Sequence, residues 1–141
     1  MMRRTIAAAM LALLAAGCGG GSAVSDFGTV IKGAKGTTVP VELRSGQRFS
    51  LAVADNPSVG DEWRLVAVPD PKVASFISEE HRTEGDGVGA GGTTYFVFNG
   101  KRPGTTEIKL YDCWRCGRST TPPDEQSRQQ SGEAVFTVTV E

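Results

Sequence analysis

One histidine, three cysteines and two tryptophans in 141 residues leave this chain short of the side chains that carry most enzyme chemistry. His81 alone cannot complete a zinc centre, which needs four ligands, and no nucleophile elbow is present. An enzyme is therefore not expected, nor is any cofactor or metal. The chain also lacks a basic stripe: 15 Lys and Arg face 16 Asp and Glu, for a net charge of −1. That balance argues against nucleic acid as a partner. No segment carries a long helical period, and there are no internal repeats. The longest apolar run, 6–16, is too short to cross a bilayer as a helix.

That run instead fits the core of a secretion signal, with Arg3 and Arg4 as its positive start. It ends Leu14-Ala15-Ala16-Gly17-Cys18, which resembles a bacterial lipoprotein cleavage site, with Ala15 where leucine is usual. The resemblance implies a leader over 1–17, lipidation of Cys18, and anchoring to the outer face of a bacterial cell membrane. Ordinary secretion, with Cys18 left as a thiol, is the alternative. Cleavage would remove two of the basic residues and none of the acidic ones. Gly19-Gly20-Gly21-Ser22 then reads as the start of a flexible tether, 18–35, ahead of a single domain over 36–141. An odd cysteine count in an exported protein needs an explanation. Lipidation of Cys18 leaves Cys113 and Cys116 as a pair, and outside the cytosol such a pair is expected to be oxidised. A redox pair would need a strand–helix context, and a zinc site more ligands than the chain offers.

What the chain has in quantity is short runs of branched and aromatic residues separated by turn residues. Strands are expected near 38–43, 47–54, 63–68, 73–78, 94–99, 106–111 and 134–140. In 47–54, Phe49, Leu51 and Val53 alternate with Ser50, Ala52 and Ala54. In 134–140, Phe136, Val138 and Val140 oppose Val135, Thr137 and Thr139. Seven or eight such strands in little over a hundred residues predict an all-β, immunoglobulin-like β-sandwich. Two long polar segments, 79–92 and 117–132, interrupt them, and His81 reads as a solvated loop residue.

Three loops carry the functional signal. Asn56-Pro57-Ser58-Val59-Gly60 is a turn: asparagine can bond its downstream backbone, proline presets φ, and Gly60 permits a positive φ at the exit. Trp63, three residues on, reads as packing. Gly89-Ala90-Gly91-Gly92, within 88–93 and followed by Phe96, lets another backbone approach closely. No helix follows it, so a phosphate cradle is not indicated. Cys113-Trp114-Arg115-Cys116 is the third, with Trp114 and Arg115 between the two cysteines.

In this order, and with Trp63 and Phe96 behind them, the three loops resemble those of chagasin-type inhibitors of papain-like cysteine peptidases. The resemblance covers nearly the whole domain. It implies a reversible inhibitor, a monomer, with no catalytic residue of its own. The binding residues would be Asn56, Pro57, Ser58, Val59, Gly60, Gly89, Ala90, Gly91, Gly92, Trp114 and Arg115. Asp61 stands where the family has an aromatic residue, and Asp112 where arginine is common. A Cys113–Cys116 bridge would replace the rigidity of the family's proline and hold Trp114 out on a stiff tip. The rival reading is a lipid-anchored binding module for a cell-surface or cell-wall ligand. All three tips must share one rim for the inhibitor reading to stand.

Overall fold

Alternating apolar residues become eight strands: β1 (Thr29–Lys32), β2 (Thr38–Leu43), β3 (Arg48–Asp55), β4 (Asp61–Ala67), β5 (Ala74–Thr83), β6 (Gly92–Gly100), β7 (Gly104–Trp114) and β8 (Gly132–Val140). The structure is a computed structural model and describes residues 24–85 and 87–141. The expected leader, Cys18 and the first part of the tether lie outside the described residues. One four-stranded sheet runs β1-β3-β6-β5 and the other β2-β8-β7-β4. Two pairs are parallel, β1 with β3 and β2 with β8, and the others are antiparallel. The expected immunoglobulin-like sandwich is the fold.

The core lies between the sheets, where every second residue of a strand points inward. Phe49, Leu51, Phe96, Phe98, Ile108, Leu110, Phe136 and Val138 are all fully buried. Phe49 and Phe98 stack with centroids 5.3 Å apart, and Phe76 meets Phe98 edge-on at 5.5 Å. Removing one such side chain from water contributes roughly 2–3 kcal/mol. Trp63 is buried too, its indole N–H donating to Ala54 O at 3.0 Å. The tryptophan is therefore packing, as its spacing suggests.

Three elements differ from the sequence reading. The tether is shorter than 18–35, because Thr29–Lys32 pairs with Phe49–Ala52 as an edge strand. The segment ahead of it crosses the outer face of that sheet: Phe27 stacks on Tyr95 at 4.4 Å, and Ser50 Oγ donates to Phe27 O. This strap explains why Ser50 and Ala52 are buried although they face away from the core. Strand β5 continues through Glu79-Glu80-His81-Arg82, since an edge strand can carry charged side chains to water. The long segment after β7 contains a one-and-a-half-turn helix, α1 (Glu125–Gln130), whose N-cap Asp124 accepts from Ser127 N at 2.8 Å.

Candidate functional site

Strands β3, β5 and β7 all end at the pole where β4, β6 and β8 begin, so their connecting loops share one rim. The first loop, Pro57–Val59, is a single 3-10 turn. Asn56 O accepts from Val59 N and from Asp61 N, each at 3.1 Å, and Gly60 closes the turn at φ 85°. A Cβ at Gly60 would meet Arg115 Cα at 3.3 Å, so a side chain there is opposed by both conformation and space. The Asn56 side chain does not bond its downstream backbone as expected. Its oxygen accepts from Ser58 Oγ, and its Nδ2 donates across to Gly89 O at 3.0 Å.

That last bond ties the first loop to the second. The glycine loop closes with Ala90 N donating to Gly87 O at 3.2 Å and Glu84 N to Gly91 O at 2.9 Å. Gly92 is required at its exit: a Cβ there would lie 2.3 Å from Arg82 O. Val88 at the tip is wholly exposed, and Val59 on the neighbouring loop is 47 % exposed. Exposed apolar side chains on loop tips are suited to burial against a partner. Val88 stands on the same rim as the expected binding residues, which glycine content alone does not reveal.

The third loop joins the first through Arg115 N, which donates to Gly60 O at 2.8 Å. Arg115 is also the one non-glycine residue of positive φ among the described residues, at 55°. Cys113 and Cys116 form the disulfide, with Cα atoms 5.6 Å apart. Trp114 is half-buried rather than fully projected, and the Arg115 guanidinium lies 5.9 Å from its ring centroid. Its backbone N–H donates to Ser131 Oγ at 2.9 Å, and Ser131 Oγ in turn donates to Ser127 O at 2.8 Å. Helix α1 thus clamps the base of the tryptophan. Arg64 donates to the carbonyls of Gly117 and Ser119, which pins the far side of the same loop.

Two polar clusters sit directly beneath the rim. In one, Asp112 is buried on β7 and meets Lys35 Nζ at 3.2 Å, while Lys35 also donates to Gln130 O at 2.7 Å. Burial, with the Asp61 carboxyl beside it as hydrogen-bond partner and like charge, pushes Asp112 up to about 7; Lys35 opposes the rise. Asp61 and Asp112, the two acidic residues singled out in the sequence for their positions, lie against each other. In the other cluster, Thr94 Oγ1 donates to Asp55 Oδ2 at 2.6 Å, and His81 Nδ1 lies 3.2 Å from both Thr94 Oγ1 and Asp55 Oδ1. Asp55 Oδ1 is buried without a hydrogen-bond donor, so the histidine contact is one of proximity and not a hydrogen bond. His81 is exposed, as expected, but it stands on strand β5 with a carboxylate neighbour and not in a loop. Burial raises Asp55 and Glu79, each also facing neighbouring carboxylates. Among the described residues, no three of His, Cys, Asp and Glu converge as a metal ion requires.

The fold and the rim together define an immunoglobulin-like scaffold presenting three loops at one end, the first bonded to each of the other two. The model of the chagasin family of peptidase inhibitors, I42, matches residues 42–140, and the chain belongs to that family. It is accordingly an inhibitor and not an enzyme. No curated protein matches the sequence. Among solved structures, the cysteine protease inhibitor EhICP2 from Entamoeba histolytica superposes with a TM-score of 0.55 at 15% identity, covering 80% of this chain and 95% of that one. Amebosin gives 0.55 at 17% identity, over 81% and 98% of the two chains. PbICP-C, solved in complex with falcipain-2, gives 0.56 at 16% identity, over 81% and 100%.

Proposed function

We propose that this protein inhibits papain-like cysteine peptidases by seating the three-loop rim in the active-site cleft. The observation that carries the reading is the pair of bonds that join the tips, Asn56 Nδ2 to Gly89 O and Arg115 N to Gly60 O. Three loops bonded to each other move as one wedge, so little ordering cost is left for the moment of binding. The residues Asn56–Gly60 approach the catalytic thiolate, while Gly89–Gly92 with Val88 lie along one wall and Trp114 with Arg115 along the other. No carbonyl of the inhibitor is presented for attack, so the cleft is blocked without cleavage. The solved complex of PbICP-C with falcipain-2 supports a peptidase as the partner. One rim fills one cleft, and the inhibitor acts as a monomer, held outside the cell membrane through a lipid on Cys18.

Titrating papain with the mature domain tests this directly. Activity should fall stoichiometrically, and Trp114→Ala should weaken inhibition at least tenfold, as for an anchor at the centre of an interface. Full papain activity at micromolar inhibitor would overturn the reading.

A further inference from the structure

The pole opposite the loops carries a second built surface. Three turns meet there and are stitched through their backbones: Gly46 N to Gly100 O at 3.0 Å, Gly100 N to Gln47 O at 2.7 Å, Lys101 N to Val73 O at 2.7 Å and Arg102 N to Lys72 O at 3.0 Å. Between them lies an open concavity of about 1070 Å³ whose charged lining is Arg48, Lys72, Lys101 and Arg102 against Asp26. Lys72, Lys101 and Arg102 are exposed, as is nearby Arg44. None of these five cations is ion-paired among the described residues. Of the acids lining or bordering the concavity, Asp26 accepts from Gly28 N and Asp70 from Lys72 N, each at 2.9 Å, while Glu42 and Glu141 flank Arg44 at its edge. The rim end carries an excess of acid: Asp55, Asp61, Glu62, Glu79 and Asp112 lie close to one another, with Lys35 and Arg64 paired to two of them. A chain of nearly balanced charge therefore has a basic pole and an acidic one.

We propose that the basic pole rests on the anionic phospholipid headgroups of the membrane that holds the protein, turning the three loops outward. The proposal rests on the anchoring through Cys18 put forward above, and is independent of the inhibition. Five residues lie between Cys18 and Val24, six steps of chain, and extended chain spans at most about 3.6 Å per residue. A tether of roughly 20 Å lets either end of the sandwich meet the bilayer; charge selects between them. Each Lys or Arg near an anionic surface is attracted within a Debye length, and the acidic rim is repelled by the same field. The backbone stitching holds the cations on one side, so they act together and not as scattered side chains.

The test uses a chain beginning at residue 18 with Cys18→Ser. Both sheets lie within residues 24–141, so the fold is kept whole. Sedimentation with vesicles of phosphatidylglycerol and phosphatidylcholine in equal parts is compared with phosphatidylcholine alone at low salt. Binding is expected on the anionic vesicles only, weakened at least tenfold by Lys101→Glu with Arg102→Glu. The control Arg128→Glu, on the opposite end, should leave it unchanged, and the pole variants should leave papain inhibition unchanged. Equal binding to both vesicle types, no binding to either, or equal loss in the control would overturn the proposal. So would millimolar inorganic phosphate protecting Lys101 and Arg102 from modification without any vesicle binding, which would mark a small-anion site instead. Mass spectrometry of the exported chain reads the lipid on Cys18 separately, so a failed anchor and a failed pole are distinguishable.

Discussion

Asp112 is the residue whose surroundings predict most. Buried beside Asp61, with Lys35 as its one cation, it holds a proton to about pH 7 in the folded chain against 3.8 for an ordinary aspartate. Between those values the folded state binds a proton that the unfolded state lacks, so stability falls as pH rises through the interval and levels above it. Asp55 and Glu79 are raised as well and act in the same direction. Urea unfolding at pH 5 and pH 7.5 should give the higher midpoint at pH 5, and Asp112→Asn should flatten the difference. A higher midpoint at pH 7.5 in the native sequence would contradict the arrangement. Asn56 makes a second residue-scale prediction. Asn56→Ala removes the bond to Gly89 O on an exposed surface, so stability should change by less than about 1 kcal/mol. Inhibition should nonetheless weaken several-fold, because the first two loops then move apart; equal inhibition by the variant would show that the bond is not needed.

At the scale of elements, the third loop depends on three supports: the disulfide, helix α1 through Ser131, and Arg64 on the loop carbonyls. Replacing both Cys113 and Cys116 by serine should cost roughly 2 kcal/mol of stability in the loop-entropy model. Papain inhibition should weaken with it, measured beside the urea midpoint; an unchanged inhibition constant would mean that α1 and Arg64 suffice to position Trp114. The strands with a clean inward face were legible in the sequence, since Phe49-Leu51-Val53 and Phe136-Val138-Val140 announce their period. Strand β1 was not: four residues on an edge, with Val30 45 % exposed, bury no face that a pattern could report. The end of β5 was hidden because charged residues on an edge strand look like a loop. Helix α1 is shorter than two turns and held by Asp124 and Ser131, and such caps are too common to stand out. At the site, turn chemistry and glycine content revealed the three loops, whereas the clusters around Asp112 and Asp55 join residues distant in sequence, such as Lys35 with Asp112 and His81 with Asp55.

At the scale of the molecule, the sandwich sets one pole against the other. The strap of residues before β1 crosses the outer face of a sheet, with Phe27 on Tyr95 and Arg82 at 5.4 Å from the Phe27 ring, so the described chain begins on the side of the sandwich and not at the rim. Nothing attached to the N-terminus need obstruct a peptidase at the loops. The Cys113–Cys116 ring has a consequence for the protein's history as well as for its shape. Such a ring exists only where thiols can be oxidised; in a glutathione-rich compartment the same chain keeps two separate sulfhydryls and loses one of the third loop's braces.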